Sequence, residues 1–193
     1  MTEQSVVLIK PDGVRRGLVG EILHRFEKVG IKIVAMKMIW VEADLVGKHY
    51  SDNKEYLTSI GTKTLESYQK YGKDPKEEIG TMDPLEIGKI VRKWNMEYVT
   101  SGPVIALLLE APGVVEIVRK IVGSTFPQSA PPGTIRGDYS FDSSFLSNDK
   151  KRSVKNLIHA SGTPEEGQFE RQLWFKENEI YSYKRIEEAE MLD

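Results

Sequence analysis

"GPVIALLLE" (Gly102–Glu110) and, after two further residues, "GVVEIVRKIVG" (Gly113–Gly123) are the stretch from which the fold can be deduced. The first run contains six consecutive apolar residues, from Val104 to Leu109, which predicts a strand at the centre of a sheet. The second run ends in glycine, as many helices do, and predicts a helix. A central strand that leads into a helix indicates a domain built from both kinds of element.

The segments on either side of this unit alternate between strand and helix signals. On the N-terminal side, a β-rich run stops at the turn signal Pro11-Asp12-Gly13. On the C-terminal side, Thr163 is placed to cap a helix that runs from about Pro164 to Phe175. The other predicted elements are strand Ser5–Lys10, helix Gly17–Val29, strand Ile31–Val41, a short helix Glu42–Tyr50 and strand Asn156–Ala160.

The order of these elements, β-α-β twice in one chain, predicts the α+β class and the ferredoxin-like or split βαβ plan. We expect an antiparallel four-stranded sheet with helices over one face. The chain has 193 residues, enough for one generous domain, so residues 1–193 are predicted to form a single domain. Two polar segments do not fit this plan: residues 51–96 are expected to be a mostly helical surface insertion, and residues 141–153 a second, shorter one.

The charge and composition of the chain exclude several classes of protein. Lys and Arg total 27 against 29 Asp and Glu, a formal net charge of -2, which argues against a dedicated nucleic-acid surface. The longest apolar run is too short to cross a bilayer, and the N-terminal residues lack the pattern of a signal peptide. There is no cysteine, which excludes disulfides, thiolate catalysis and cysteine-based zinc sites. We therefore expect a cytoplasmic protein that is not associated with membranes. Any site that binds an anion must then be a local cluster of residues.

A loop rich in proline and glycine, residues 123–138, is the first candidate for chemistry. Prolines fix φ and stiffen the chain, so such a loop can hold donors at a defined spacing. Arg119, Thr125 and Arg136 offer two guanidinium groups and a hydroxyl, which suit phosphate oxygens. Lys10, after the first strand, adds a point charge. Each residue alone is most often a solvated surface residue, and it is their joint presence that indicates an anion site.

Of the three histidines in the chain, one lies in a setting typical of catalysis. His24 and His49 are interpreted as structural residues, because neither has a partner at catalytic or metal-ligand spacing. His159 follows the apolar residues of a predicted strand, so a strand end would deliver its imidazole. A nucleophilic imidazole needs one free nitrogen and one held by an acceptor, and Glu170 and Ser161 are candidates to orient it. The alternative is a buried structural histidine with satisfied hydrogen bonds.

The motifs "IKPDGVRRGLVGEIL", "SGPVIALLLE", "PGTIRGD" and "NLIHAS" occur in this order along the chain. Together they resemble the nucleoside diphosphate kinase family, over most of the chain outside the two polar segments; the larger segment lies between Tyr50 and Ser101. Four collinear motifs are far more specific than one short signature. The active-site pattern of the family is close to Asn-x-x-His-Gly-Ser-Asp, and in this chain Ala160 replaces the glycine and Gly162 the aspartate.

The resemblance implies a reversible, ping-pong transfer of the γ-phosphate from a nucleoside triphosphate to a nucleoside diphosphate through a phosphohistidine, which maintains nucleoside and deoxynucleoside triphosphate pools. By similarity, Glu170 accepts from the non-attacking nitrogen of the histidine, Tyr50 approaches the phosphates, and Lys10 and Asn156 contact the sugar hydroxyls. The implied catalytic residues are His159, Glu170, Ser161 and Tyr50, and the implied nucleotide-binding residues are Lys10, Arg119, Thr125, Arg136 and Asn156.

The resemblance also implies a cofactor, a base platform and an assembly. Mg²⁺ would be held mainly by the nucleotide phosphates, because no carboxylate cage is evident in the sequence, and no protein ligand to a metal is predicted. The base would stack on an aromatic residue of the expanded region, either Tyr56 or Trp94. The assembly would be a homo-oligomer, with a hexamer favoured and a tetramer as the alternative.

Two other functions stay open at this point. A non-catalytic nucleotide-binding or regulatory module would keep the basic residues without forming a phosphohistidine, and the departures at Ala160 and Gly162 favour it. A histidine phosphatase-like hydrolase would have an Arg-His-Gly triplet near the first strand, which this sequence lacks. Labelling by γ-labelled ATP, with passage of the label to GDP, would distinguish the kinase from both.

Overall fold

The sheet at the centre of the fold has four antiparallel strands in the order β2-β3-β1-β4, within the residues 2–192 that the computed structural model describes. The strands are β1 (Thr2–Ile9), β2 (Lys32–Trp40), β3 (Pro103–Pro112) and β4 (Ile158–Ala160). The apolar strand β3 lies between two others, as predicted. The α+β class and the ferredoxin-like plan are therefore confirmed.

Helices connect the strands and pack on the sheet. Before β3 they are α1 (Pro11–Arg15), α2 (Val19–Glu27), α3 (Ala43–His49), α4 (Lys54–Lys70), α5 (Pro75–Ile79) and α6 (Pro84–Thr100). After β3 they are α7 (Val114–Val122), α8 (Ile135–Tyr139), α9 (Ser144–Asp149), α10 (Pro164–Trp174) and α11 (Glu187–Leu192), with 3₁₀ turns at Pro127–Ser129 and Glu177–Glu179. Within residues 2–192, none of the helices combines the length and apolar character that crossing a lipid bilayer requires.

Helices cover both faces of the sheet, so the expectation of a single covered face was wrong. One face packs on α2 and α7 through an apolar cluster that includes Val7, Ile22 and Val118. The other face packs on α3, α6 and α10 through a second cluster that includes Val6 and Trp174. The physical reason is that neighbouring residues of a strand point to opposite faces, and those of β1 are apolar on both.

Two short segments differ from their predicted structure. Pro11-Asp12-Gly13, predicted as a turn, begins α1 with Pro11 in its first turn, where the missing N–H has no helical partner to lose. The strand predicted from Asn156 begins only at Ile158. The cause is Leu157, whose φ of 69° lies outside the strand region.

The segment 51–96 contains α4, α5 and most of α6, and the segment 141–153 contains α9. The two long helices α4 and α6 pack tightly against each other. Where they cross, Gly61 faces the carbonyl of Pro84, and Gly88 faces the carbonyl of Leu57. Both approaches are so close that they require a residue without a Cβ.

Candidate active site

His159 is the central residue of β4, which pairs with β1 so that His159 lies opposite Leu8. The chain enters this strand through a γ-turn, in which the amide of Ile158 donates to the carbonyl of Asn156 at 2.7 Å and Leu157 has a positive φ. Such a backbone is strained by about 1–3 kcal/mol and persists only where its surroundings enforce it. The γ-turn therefore fixes the chain immediately before the imidazole.

The guanidinium of Arg136 enforces this turn. It donates to the carbonyl of Ile158 at 2.6 Å, to that of Asn156 at 3.2 Å and to that of Gly123 at 2.9 Å. Burial, with a contribution from the charge of Arg119, lowers the pKa of Arg136 to about 10, so the group is still cationic at neutral pH. The sequence predicted a phosphate donor at this position, and the structure adds a second role as a clamp on the backbone.

His159, Glu170 and Ser161 form a hydrogen-bonded row. Nε2 of His159 lies 2.6 Å from Oε1 of Glu170, and Oγ of Ser161 donates to Oε2 of Glu170 at 2.6 Å. A carboxylate can only accept, so Nε2 of the histidine bears the proton and Nδ1 keeps its lone pair. Glu170 and Ser161 are buried, whereas His159 lines an open cavity. The row thus holds the tautomer that a nucleophile needs.

Burial is the main reason that the pKa of His159 lies well below that of a free histidine. The positive charges of Lys10 and Arg136 act in the same direction, and the carboxylate of Glu166 opposes them. The imidazole is therefore neutral at neutral pH. Burial raises the pKa of Glu170, and its neighbours His49 and Ser161 counteract that shift.

A cavity of about 870 Å³ opens in front of His159. Arg119 and Thr125 at its wall are exposed, whereas Lys10 is buried. The cationic side chains produce the positive field that bound phosphates need. All the predicted nucleotide-binding residues line this cavity together with Tyr50: Lys10, Arg119, Thr125, Arg136 and Asn156.

Lys10 and Asn156 are joined at the end of β1. The ammonium of Lys10 donates to Oδ1 of Asn156 at 2.8 Å, and Nδ2 of Asn156 donates to the carbonyl of Thr125 at 2.9 Å. Burial lowers the pKa of Lys10 to about 7, the charge of Arg136 adds to the shift, and Asp12 opposes it. A phosphate placed beside this ammonium would raise its pKa again.

The structure places a second imidazole, that of His49, against the row formed by His159, Glu170 and Ser161. No partner for His49 was evident in the sequence, and this contact was not predicted. Its Nδ1 lies 3.3 Å from Oε1 of Glu170, and its ring centroid lies 4.5 Å from that of His159. The sequence offers no spacing that links these residues. They meet because α3 and α10 pack on the same face of the sheet. His24, by contrast, is exposed on α2.

The cavity wall offers little to a metal ion. The carboxylates that line it are those of Glu66 and Glu166, and Glu166 already accepts a backbone amide at 2.7 Å. His49, His159 and Glu170 bring donor atoms within 4.8 Å of one another, but contacts among the three occupy those atoms. The described residues therefore suit a divalent ion that arrives with phosphates better than one held by a protein cage.

The two candidate base platforms lie in different places. Trp94 of α6 lines the cavity, as does Ile60 of α4. Tyr56 is not among the described residues that line it. Of the two candidates, Trp94 is therefore the one at the cavity wall, which Tyr50 and Phe126 also line.

Comparisons with known proteins agree with this geometry. The profile of the family described as "Nucleoside diphosphate kinase" matches residues 3–59 and 87–180. The nucleoside diphosphate kinase of Pyrobaculum aerophilum is 49% identical over 178 residues, which cover 92% of this chain and 97% of that relative. A crystal structure of an NDP kinase from the same organism has a TM-score of 0.92 at 47% identity and covers 94% of this chain and 100% of its own.

A second solved structure bears on the chemistry. It is described as a transition state mimic of nucleoside-diphosphate kinase from Borrelia burgdorferi with bound vanadate and ADP. Its TM-score is 0.78 at 36% identity, with coverage of 98% of this chain and 96% of that one. The comparisons thus favour the catalytic interpretation over a non-catalytic module. The chain belongs to the nucleoside diphosphate kinase family, enzymes that transfer the γ-phosphate from one nucleotide to another.

Proposed function

We propose that His159 is the residue that takes up and passes on the phosphoryl group. In the first step, Nδ1 attacks the γ-phosphorus of a nucleoside triphosphate, and the bond to the β-phosphate oxygen breaks. The nucleoside diphosphate leaves with the bonding electron pair. In the second step, an oxygen of another nucleoside diphosphate attacks the phosphohistidine, and the ring regains its lone pair. The observation that supports this proposal is the 2.6 Å contact between Nε2 of His159 and Glu170, which leaves Nδ1 free.

The row behind the histidine supports the charge that develops. When Nδ1 of His159 bonds to phosphorus, the ring becomes an imidazolium, and Glu170 faces its remaining N–H. Ser161 holds the second oxygen of the same carboxylate at 2.6 Å. We therefore assign Glu170 and Ser161 to orientation and charge balance. Tyr50, at the cavity wall, is assigned to the approach of the phosphates.

The cationic residues of the cavity bind and neutralise the phosphates. Arg119, Arg136 and the hydroxyl of Thr125 are assigned to the phosphate oxygens, because transfer between oxygen and nitrogen needs positioning and electrostatic stabilisation more than further covalent chemistry. Mg²⁺ bound to the phosphates would supply further charge neutralisation, and the cavity fits an ion held by the nucleotide. Lys10 and Asn156, already joined by a 2.8 Å hydrogen bond, are assigned to the sugar hydroxyls and the adjacent phosphates.

The base is proposed to stack on Trp94, the aromatic side chain of the expanded region at the cavity wall. We further propose one domain over residues 1–193, with residues 51–96 and 141–153 as insertions. In support of the first insertion, the family match is interrupted between residues 59 and 87, whereas it continues through residues 141–153. Action in the cytoplasm is part of the same proposal.

A homo-oligomer is proposed as the working form, a hexamer in preference to a tetramer. The support from this chain is the edge strand β2, where Met36, Met38 and Trp40 are 58%, 62% and 66% exposed. Exposed apolar side chains repeated along an edge strand are typical of a surface that another chain covers.

The variant His159→Ala tests the nucleophile. Wild-type protein incubated with γ-labelled ATP should acquire a label that survives base and is lost in acid, and should pass it to GDP. His159→Ala should acquire no label and should not exchange phosphate, while it still binds nucleotide and remains folded. His24→Ala, which alters an exposed histidine of α2, is the matched control and should behave as wild type. Retained turnover by His159→Ala would contradict the mechanism.

A further inference from the structure

His49 lies at the end of α3 and faces the proposed catalytic pair. Its Nδ1 is 3.3 Å from Oε1 of Glu170, the same oxygen that lies 2.6 Å from Nε2 of His159. The two imidazole rings are 4.5 Å apart between centroids and nearly perpendicular, at 85°. The side chain of His49 is 2% exposed. One carboxylate oxygen is thus shared by two imidazoles, and only one of them has a role in the mechanism above.

Glu170 needs more than one donor because it is a buried carboxylate. Burial disfavours its charged form, and each hydrogen bond that it accepts offsets part of that cost. Ser161 fixes Oε2 of Glu170 at 2.6 Å. Rotation about the terminal bond of the Glu170 side chain then depends on what binds Oε1. His159 cannot serve alone as that anchor, because its ring must change charge during each transfer. A donor that does not take part in the reaction is better suited to hold Oε1 still.

The position of the proton on His49 decides whether it can be that donor. Burial and the neighbouring His159 lower the pKa of His49 to about 3, so the ring is neutral and has a single N–H. Two groups compete for Nδ1: the indole N–H of Trp174, which can only donate, at 3.4 Å, and the carboxylate of Glu170, which can only accept. A hydrogen bond to a charged acceptor is roughly twice as strong as one between neutral groups. The hydrogen bond that the structure shows at Nδ1 is the one from Trp174. The charged acceptor favours the other tautomer, with the proton on Nδ1 facing Oε1 of Glu170 at 3.3 Å, and that tautomer is required if His49 is to hold the carboxylate.

We propose that His49 is a positioning residue for phosphoryl transfer: its Nδ1–H holds Oε1 of Glu170 in line with Nε2 of His159. This inference rests on the proposed roles of His159 and Glu170. His49 touches neither the phosphates nor the attacking nitrogen and acts only through the carboxylate. Its removal should therefore slow the formation of the phosphohistidine and leave the binding of nucleotide unchanged.

A double-mutant cycle tests this inference. The single-turnover rate of phosphohistidine formation is measured by rapid quench with labelled ATP in wild type, His49→Ala, Glu170→Gln and the double variant. Loss of one hydrogen bond predicts a rate about fivefold to tenfold lower in His49→Ala. In the Glu170→Gln background, the same substitution should change the rate by less than about twofold, because the carboxylate it holds is no longer there. The dissociation constant for ADP should be the same in wild type and His49→Ala.

A conservative variant separates positioning from packing. The amide nitrogen of asparagine occupies nearly the place of Nδ1 of histidine, so His49→Asn should recover a large part of the rate lost in His49→Ala. The inference is wrong if alanine slows the reaction by the same factor in both backgrounds, if asparagine is no better than alanine, or if the main effect is on ADP binding. A Glu170→Gln variant that reacts at the wild-type rate would instead overturn the role of Glu170 in the proposed function. Melting curves of all variants identify any loss of fold.

Discussion

Alanine at Gly61 should destabilise the protein more than a single methyl group ordinarily does. Gly61 lies where α4 crosses α6, and a Cβ built at this position would lie 1.7 Å from the carbonyl oxygen of Pro84. At Gly88, the reciprocal position, the Cβ would lie 2.0 Å from the carbonyl oxygen of Leu57. Both obstacles are backbone atoms, which cannot move aside by changing rotamer. The two helices themselves must separate.

The size of the effect follows from these distances. Ordinary van der Waals contact of a Cβ begins at 3.4 Å, so Gly61→Ala must open the crossing by well over an ångström. Overpacking of this kind costs about 1–3 kcal/mol, and we expect the upper half of that range because backbone must shift. For a chain of this length, about 2–3 kcal/mol corresponds to a fall in Tm of roughly 4–12 °C. Gly88→Ala should have a similar or slightly smaller effect.

Differential scanning calorimetry of matched variants checks this estimate. Gly20 lies in α2, and no atom lies within 4 Å of a Cβ placed there, so Gly20→Ala should raise the Tm by reducing the freedom of the unfolded chain. Because α4 and α6 both contribute to the cavity wall, Gly61→Ala should also raise KM for nucleotides more than it lowers kcat. If Gly61→Ala melts at the same temperature as wild type, the tight crossing and the reasoning built on it are refuted.

Three further variants test the charged residues of the site and the turn that follows His159. Arg136→Ala should lower the free energy of unfolding by about 3 kcal/mol or more, because buried carbonyls lose a charged donor, and urea denaturation without nucleotide should detect it; unchanged stability would rule out the clamp. Since the pKa of Lys10 is about 7, ADP binding at pH 8 should take up a proton in wild type but not in Lys10→Met, as calorimetry in two buffers would show. The same group should make the nucleotide-free protein more stable as pH rises from about 7 toward 10, because only the unfolded chain then keeps the proton; a flat or falling difference from Lys10→Met would contradict the shift. Gly162→Asp places its Cβ 2.6 Å from Oε2 of Glu166, whose flexible side chain can rotate away. We therefore expect a measurable change in Tm and an exchange rate close to that of wild type. A large loss of rate with unchanged Tm would place residue 162 in the chemistry.

Local pattern was enough to predict the sheet and the strand end that presents His159. The apolar run of β3 and the signals around it predicted four antiparallel strands, because strands and helices leave periodic traces in a sequence. The second covered face was missed, although the run Val6–Ile9 is apolar at every position and so has no outward polar side. The residues themselves offered that signal.

Contacts between distant segments could not be predicted in the same way. His49 is separated by more than a hundred residues from the row that it joins, and only the packing of α3 beside α10 brings them together. The three hydrogen bonds of Arg136 to backbone carbonyls leave no trace in the residue types, because every residue has a carbonyl. Trp94 and Tyr56 could be separated only once the cavity was located.

The γ-turn at Leu157 restricts how this part of the protein can change during evolution. A glycine would relieve the backbone strain of about 1–3 kcal/mol, but it would remove a fully buried leucine side chain at a cost of about 2–5 kcal/mol. A β-branched replacement would fill the core and find the left-handed backbone still less accessible. Both kinds of substitution at Leu157 are therefore expected to lower the stability of the protein. A strained turn can persist beside a nucleophile in this way without any selection for strain itself.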